Sequence, residues 1–247
     1  MYFRLSARSV FPLDNERIMS VGIAPRPNAQ HIPTQVKNQD LVERRRRQIV
    51  DAAVELFIQN GFHKTTTRQI ARNAGFSIGS LYEYVASKED ILYLVCDAIH
   101  AEMERGMADA MQREAQQGNP LAEVVRAYLL VCDRMNDHIL LIYQETQSLP
   151  HKWRRVVLEN EVRITGLFTR ALTQLMADGK IPLLSEAAMD LIAHNIAVIG
   201  HMWTFRRWFL SRHYTIETYI EHQTAFILNM CHTEEPAPAG KPVRGNP

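Results

Sequence analysis

Residues 65–85 read TTTRQIARNAGFSIGSLYEYV. Thr66, followed three residues on by Gln69, predicts a capping box in which side-chain oxygens satisfy the backbone N–H groups that a helix start leaves unpaired. A helix is therefore expected over Thr67 to Ala74. Gly75 supplies the left-handed backbone that a side chain resists, and Ser77 is placed to cap a second helix running to about Val85. If the two helices cross, Ile70, Ala71, Ala74, Phe76 and Leu81 fall inside, and the other face carries Arg68, Ser77, Gly79, Ser80, Tyr82 and Tyr84. A helix-turn-helix presents such a face to the major groove, with the start of its second helix against base edges and flanking groups on phosphates. By spacing alone the stretch also suits a helical hairpin inside an all-α core.

Upstream, Ile49, Ala52, Ala53, Leu56 and Phe57 have the spacing of an amphipathic helix, closed by Asn60-Gly61. Phe62 is expected to plug a three-helix core. Arg44, Arg45, Arg46 and Arg47 stand together at the beginning of that helix, where its dipole prefers acids, so phosphate or minor-groove contact is expected of them instead. Downstream, Ser87 and Asp90 make a second capping box, opening a helix from Lys88 to about Gln117. This helix ties the three-helix module to the rest of the chain.

The longer run from Gln48 to Leu92, QIVDAAVELFIQNGFHKTTTRQIARNAGFSIGSLYEYVASKEDIL, resembles the DNA-binding domain of TetR-family transcriptional regulators. The matching points, in order, are AA-x-x-LF, NGF, TT-x-x-IA, AG-x-S, G-x-LY and SKEDIL. They cover about a fifth of the chain. The resemblance implies an all-α protein with an N-terminal helix-turn-helix domain and a C-terminal helical domain for ligand binding and dimerisation. It implies a homodimer on a palindromic double-stranded DNA operator, acting as a repressor that a small-molecule effector releases, and it makes Lys88 a phosphate ligand. The DNA-facing set is then Arg44 to Arg47, Thr66, Thr67, Arg68, Ser77, Ile78, Gly79, Ser80, Tyr82, Tyr84 and Lys88. Within it, Tyr82 suits a thymine methyl, Tyr84 a phosphate and Ser80 a base edge.

The totals of the 247-residue chain agree with this division. Its net charge of +1 conceals 13 Lys/Arg against 7 Asp/Glu through residue 88, and 15 against 20 beyond it. One end is suited to nucleic acid and the body is not. Cys96, Cys132 and Cys231 form no C-x-x-C pair and are odd in number, which argues against a disulfide framework or zinc ribbon and for reduced, buried thiols in a cytoplasmic protein. No apolar run has the length of a signal peptide core or a membrane span, so no membrane partner is expected.

Four segments follow: a disordered arm over 1–38, the helix-turn-helix domain over 39–87, a helical body over 88–233 and a disordered tail over 234–247. The arm holds five Pro or Gly residues and no period, and could serve as a basic DNA-binding extension or as ballast. In the body, Gly118-Asn119-Pro120 breaks the chain, and helices are expected over about 121–136, 138–147, 151–178, 185–211 and 215–232. No strand alternation or internal repeat occurs.

Residues 191–205, LIAHNIAVIGHMWTF, contain no charge. A helix apolar nearly all round must be covered on more than one side. A second copy of the chain is the expected cover, through Ile192, Ile196, Ile199 and Trp203 with Ile216, Tyr219, Ile220, Gln223, Phe226, Ile227 and Met230 of the next helix, giving a four-helix bundle. A monomer that buries these residues internally is the alternative.

For the effector, Met135, Tyr143, Phe168 and Trp203 are of types that line adaptable apolar cavities. The segments LIYQETQSLPHKW and WTFRRWF resemble the ligand domains of TetR-family sensors of acyl-CoA, and Arg206 and Arg207 offer guanidinium groups for phosphates. Packing and dipole relief are the plainer roles for the same residues, and an uncharged lipophilic effector is the competing ligand. His194 and His201 lie seven apart, too far for the usual metal spacing of three or four, and read as core or interface residues. No nucleophile elbow, phosphate-cradling loop or dinucleotide fingerprint appears, so neither a catalytic residue, a metal nor a cofactor is expected. The reading from another class is an all-α interaction or enzyme domain with a vestigial helix-turn-helix.

Overall fold

A computed structural model of the chain describes residues 32–114 and 119–231, and among these residues every regular element is a helix. The all-α expectation holds. Helix α1 spans Gln39–Asn60, with Asn38 as its cap accepting from the Leu41 N–H at 3.0 Å and Asp40 in the first turn. The four arginines therefore stand in its second and third turns. The dipole acts within the first turn, so the electrostatic misfit expected of them does not arise. Gly61, at φ 80°, ends the helix by donating to the Phe57 carbonyl, and Phe62 fills the module's core edge-on to Phe57.

Helix α2 spans Thr67–Asn73 and begins with the capping box expected of Thr66 and Gln69. It ends in a Schellman motif: Gly75, at φ 76°, donates to Arg72 at 3.2 Å, and Phe76 donates to Ala71 at 2.8 Å. Helix α3 spans Ile78–Tyr82, capped by Ser77. It is three residues shorter than the sequence suggested. The carbonyls of Glu83 and Tyr84 are claimed from outside the helix, by Thr34 Oγ1 at 2.9 Å and Arg46 Nε at 3.0 Å, instead of by later N–H groups.

Those bonds also correct the expected arm. Residues 32–38 are part of the folded module: Ile32 is 1% exposed and the Gln35 N–H donates to Glu83 at 3.3 Å. The remainder of the arm, and the tail from residue 232, lie outside the described residues.

Helix α4, Lys88–Glu114, carries Ile91, Leu92, Val95, Cys96 and Ile99 into the core. Its Ser87 accepts from the Asp90 N–H as expected, while the Asp90 carboxylate reaches one residue further back, to the Ala86 N–H at 3.2 Å. Then follow α5 (Pro120–Arg134), α6 (Asn136–Glu145) with a 3-10 turn over Thr146–Ser148, α7 (His151–Ala177), α8 (Glu186–Phe205), α9 (Arg207–Leu210) and α10 (Ile216–Met230). The helix expected over 185–211 breaks at Arg206, where φ −105° and ψ 16° leave the helical range. Helix α5 is the axis of the body, packed by α4, α7, α8 and α10, and α1 packs on both α4 and α6. The three cysteines are buried, and desolvation pushes the Cys96 and Cys132 thiols up to about 12.

Candidate nucleic-acid interface and an inner cleft

The capping arrangement that starts α2 and α3 also orders the face between them. Ser77 Oγ accepts from the Ser80 N–H and donates to Ser80 Oγ, both at 3.0 Å, so Ser80 is held at the beginning of α3. Tyr82 is 45% exposed and its hydroxyl lies 3.2 Å from Thr67 Oγ1, which joins the far end of α3 to the start of α2. Thr66, Arg68, Ser77, Ile78 and Gly79 are exposed beside them. The structure thus brings together, on one module, Thr66, Thr67, Arg68, Ser77, Ile78, Gly79, Ser80 and Tyr82. Exposed Lys64 and Arg72, not singled out by motif, add to its positive charge.

Three residues of the expected set are placed otherwise. Arg46 is buried, its guanidinium donating to Tyr84 O at 3.0 Å and to Ile32 O at 2.7 Å, so it is withdrawn from phosphate contact. Tyr84 is 6% exposed, packed edge-on to Phe76, and cannot reach a phosphate as the sequence suggested. Lys88 donates to Phe62 O at 3.0 Å and Thr65 O at 3.1 Å with its ammonium over the Phe62 ring; it closes the turn before α2. For Arg46 and Lys88 the reason is shared: loop carbonyls left without helical partners need donors, and these side chains supply them, whereas Tyr84 is withdrawn by packing. Of the other arginines, Arg44 is exposed, Arg45 lies over Phe76, and Arg47 pairs with Glu43 at 3.0 Å.

Beyond the packing of α1 on α4 and α6, two polar contacts tie the module to the body. The Trp153 indole N–H donates to Asp90 Oδ1 at 2.8 Å while its ring stacks on Tyr93 at 4.1 Å, so α7 grips the turn that leads out of the module. His63, in the turn after α1, lies 3.2 Å from Ser148 Oγ, at the end of α6. Periodicity carries no signal for either pair.

In the body, α6, α7 and α8 line an open cleft of about 300 Å³. Its apolar walls are Leu158, Val162, Ala197 and Val198, and its polar groups are Tyr143, Glu161, Thr165, His194 and His201. A smaller recess behind it shares Tyr143, Glu161 and His201 and reaches His100 and Tyr128. Tyr143 Oη lies 2.9 Å from His201 Nδ1, and burial lowers the His201 imidazole to about 4, so it is neutral near pH 7. Burial raises the Glu161 carboxyl, against the pull of His194.

Of the six expected ligand residues only Tyr143 lines this cleft. Met135 and Phe168 are packed in the core. Trp203 is 2% exposed with its indole N–H on Asp133 at 2.9 Å, and Arg207 is paired with the same carboxylate. Arg206 lies over the Trp208 ring. The expected dimer residues divide similarly. Ile192, Ile196, Trp203, Tyr219, Ile220 and Ile227 are buried within their own chain; Ile199, Ile216, Gln223 and Met230 are half-buried, and Phe226 is 61% exposed. The apolar stripe that α8 leaves exposed is instead Leu191, Val198, Met202 and Phe205, on the next positions round the helix. No group of three or more metal-capable side chains occurs among the described residues, and no helix there is long and apolar enough to cross a membrane.

Residues 49–93 match the family model of bacterial regulatory proteins of the tetR family. Over 201 residues the chain is 30% identical to the HTH-type transcriptional regulator HbdR of Aromatoleum sp. (strain CIB), an alignment that covers 78% of this chain and 83% of that protein. A bacterial regulatory protein in the tetR family from Rhodococcus RHA1 shares the fold at TM-score 0.64 and 23% identity, over 77% of this chain and 98% of that one. The structure of AibR in complex with isovaleryl coenzyme A and operator DNA superposes at TM-score 0.57 and 18% identity, over 74% and 97% of the two chains.

Proposed function

Since the chain belongs to the TetR family of transcriptional regulators, we propose that it is a homodimeric repressor whose two helix-turn-helix modules bind an inverted-repeat operator and which a small effector releases. The observation that carries this reading is the ordered outer face formed by Thr67, Ser77, Ser80 and Tyr82, flanked by the exposed cations Lys64, Arg68 and Arg72. The α8 stripe, with Phe226 of α10, supplies the apolar surface for a second copy. The cleft between α6, α7 and α8 receives the effector, either a small hydrophobic molecule or the acyl part of a CoA thioester; the isovaleryl coenzyme A bound to AibR supports the second class.

Two contacts between the body and the module support release. A ligand that wedges α6 from α7 moves the Ser148 end of α6 against His63, and α7 against Asp90 through Trp153, both within reach of the module. Such a ligand shifts the equilibrium only by its difference in affinity for the two states, about 1.4 kcal/mol for each factor of ten. The test is a fluorescence anisotropy scan of duplexes tiled across the promoter region of the protein's own gene, at low salt. A protected site with two-fold symmetry is expected. Absence of any preferred duplex overturns the regulator reading.

A further inference from the structure

The polar groups of the cleft are hydroxyls, imidazoles and one carboxyl. No lysine or arginine lines it, and its one carboxyl, Glu161, forms no hydrogen bond among the described residues. Thr165 is engaged with the Val162 carbonyl at 2.7 Å, and His194 Nδ1 with the Asp190 carbonyl at 2.9 Å. The groups left to meet a ligand are the Glu161 carboxyl, the Tyr143–His201 pair and, on the exposed side, His194 through Nε2.

From this set, and resting on the effector reading above, we infer that the cleft takes an apolar molecule whose buried end carries a neutral hydroxyl, held by Glu161 and the Tyr143–His201 pair, and rejects a ligand with a carboxylate at that end. A carboxylate entering beside Glu161 meets a like charge with no lysine or arginine within the lining to offset it, and the one opposing group, the exposed His194, is already drawn to Glu161. A hydroxyl both donates and accepts, so it satisfies the carboxyl in either protonation state and the neutral imidazole beside it. An ammonium would pair with Glu161 alone, and a half-buried ion pair roughly offsets its own desolvation. An unsubstituted hydrocarbon leaves the carboxyl dry and unpaired, and a site built to bond a hydroxyl discriminates against the analogue that lacks one. A CoA thioester satisfies the same rule if its acyl end is hydroxylated and its phosphates stay outside.

The experiment is calorimetric titration of the full chain with four probes of one ring system: 2-naphthol, naphthalene, 2-naphthoate and 2-naphthylmethylamine. We expect 2-naphthol to bind at least roughly tenfold more tightly than naphthalene, with 2-naphthoate the weakest of the four. Glu161→Gln should then erase most of the penalty on 2-naphthoate while reducing the preference for 2-naphthol. Equal binding of naphthol and naphthalene, or tighter binding of the naphthoate or the amine, overturns the inference and leaves the cleft as an effector site. If none of the four binds, the cleft itself is lost as the effector site, and the inference with it. The operator scan tests DNA binding without any ligand, so its outcome is separate from both.

Discussion

The Arg46 side chain donates from Nε to the Tyr84 carbonyl at 3.0 Å, joining the middle of α1 to the residue just past the recognition helix. Its second bond, to Ile32 O, clamps the incoming chain beside the same turn. Replacing Arg46 with Gln removes a buried donor fork that serves two carbonyls. We expect a loss of about 1–3 kcal/mol in urea unfolding, and weaker operator binding by anisotropy. Arg44→Gln, on an exposed neighbour, should change binding and leave unfolding unaltered. If both variants lose DNA affinity while neither loses stability, Arg46 is a phosphate ligand after all.

Ser80 and Tyr82 face outward from α3, the one through its cap bond to Ser77 and the other through Thr67. The double variant Ser80→Ala, Tyr82→Phe is expected to relax base preference by about 1–3 kcal/mol for each base contact removed. Competition with operators mutated one base pair at a time measures it, and an unchanged preference refutes the assignment.

With Arg46, Tyr84 and Lys88 occupied inside the module, each half is left with some three or four cationic contacts to phosphate. For a dimer this gives log K against log salt a slope of roughly −5 to −7. A slope near half that value indicates a single module on the duplex, against the two-fold arrangement.

His201 is held neutral by burial, with its folded-state value at about 4 against an ordinary 6.5. The unfolded chain therefore binds the extra proton more readily between those values, and the His201 contribution is level above pH 6.5 and lost as pH falls towards 4. The loss is on the order of 3 kcal/mol over that window. Burial raises Glu161 and Glu102, which act in the opposite sense, so the measurement is the difference between wild type and His201→Gln in denaturant midpoints from pH 4 to 7. Parallel pH curves for the two proteins contradict the assignment.

Gly200 lies where α8 crosses α5. A Cβ there would overlap the Tyr128 ring and stand 2.8 Å from Cys132 Sγ. Both neighbours are fully packed, so Gly200→Ala is expected to destabilise by about 1–3 kcal/mol despite its gain in helix propensity. A rise in melting temperature would show that the crossing has slack.

Local chemistry made the recognition module legible before any coordinates. The Thr66–Gln69 box, the turn at Gly75 and the Ser77 cap depend on residues within a few positions of one another, and each formed where its spacing placed it. The helical body and its joints at Asn119-Pro120 and Gly179 followed for the same reason. What the chain order could not assign was the use of long side chains. Arg46 reaches 38 residues along the sequence to Tyr84, Lys88 reaches back to Phe62, and Trp153 finds Asp90. An exposed arginine and one that satisfies buried carbonyls look the same in a sequence, because the orphaned carbonyl exists only once the loop has folded. The same holds for α8, apolar on nearly every side: only its packing decides that Ile192 and Ile196 turn inward, that Leu191 and Val198 remain outside, and that His201 lines the same cleft as Glu161.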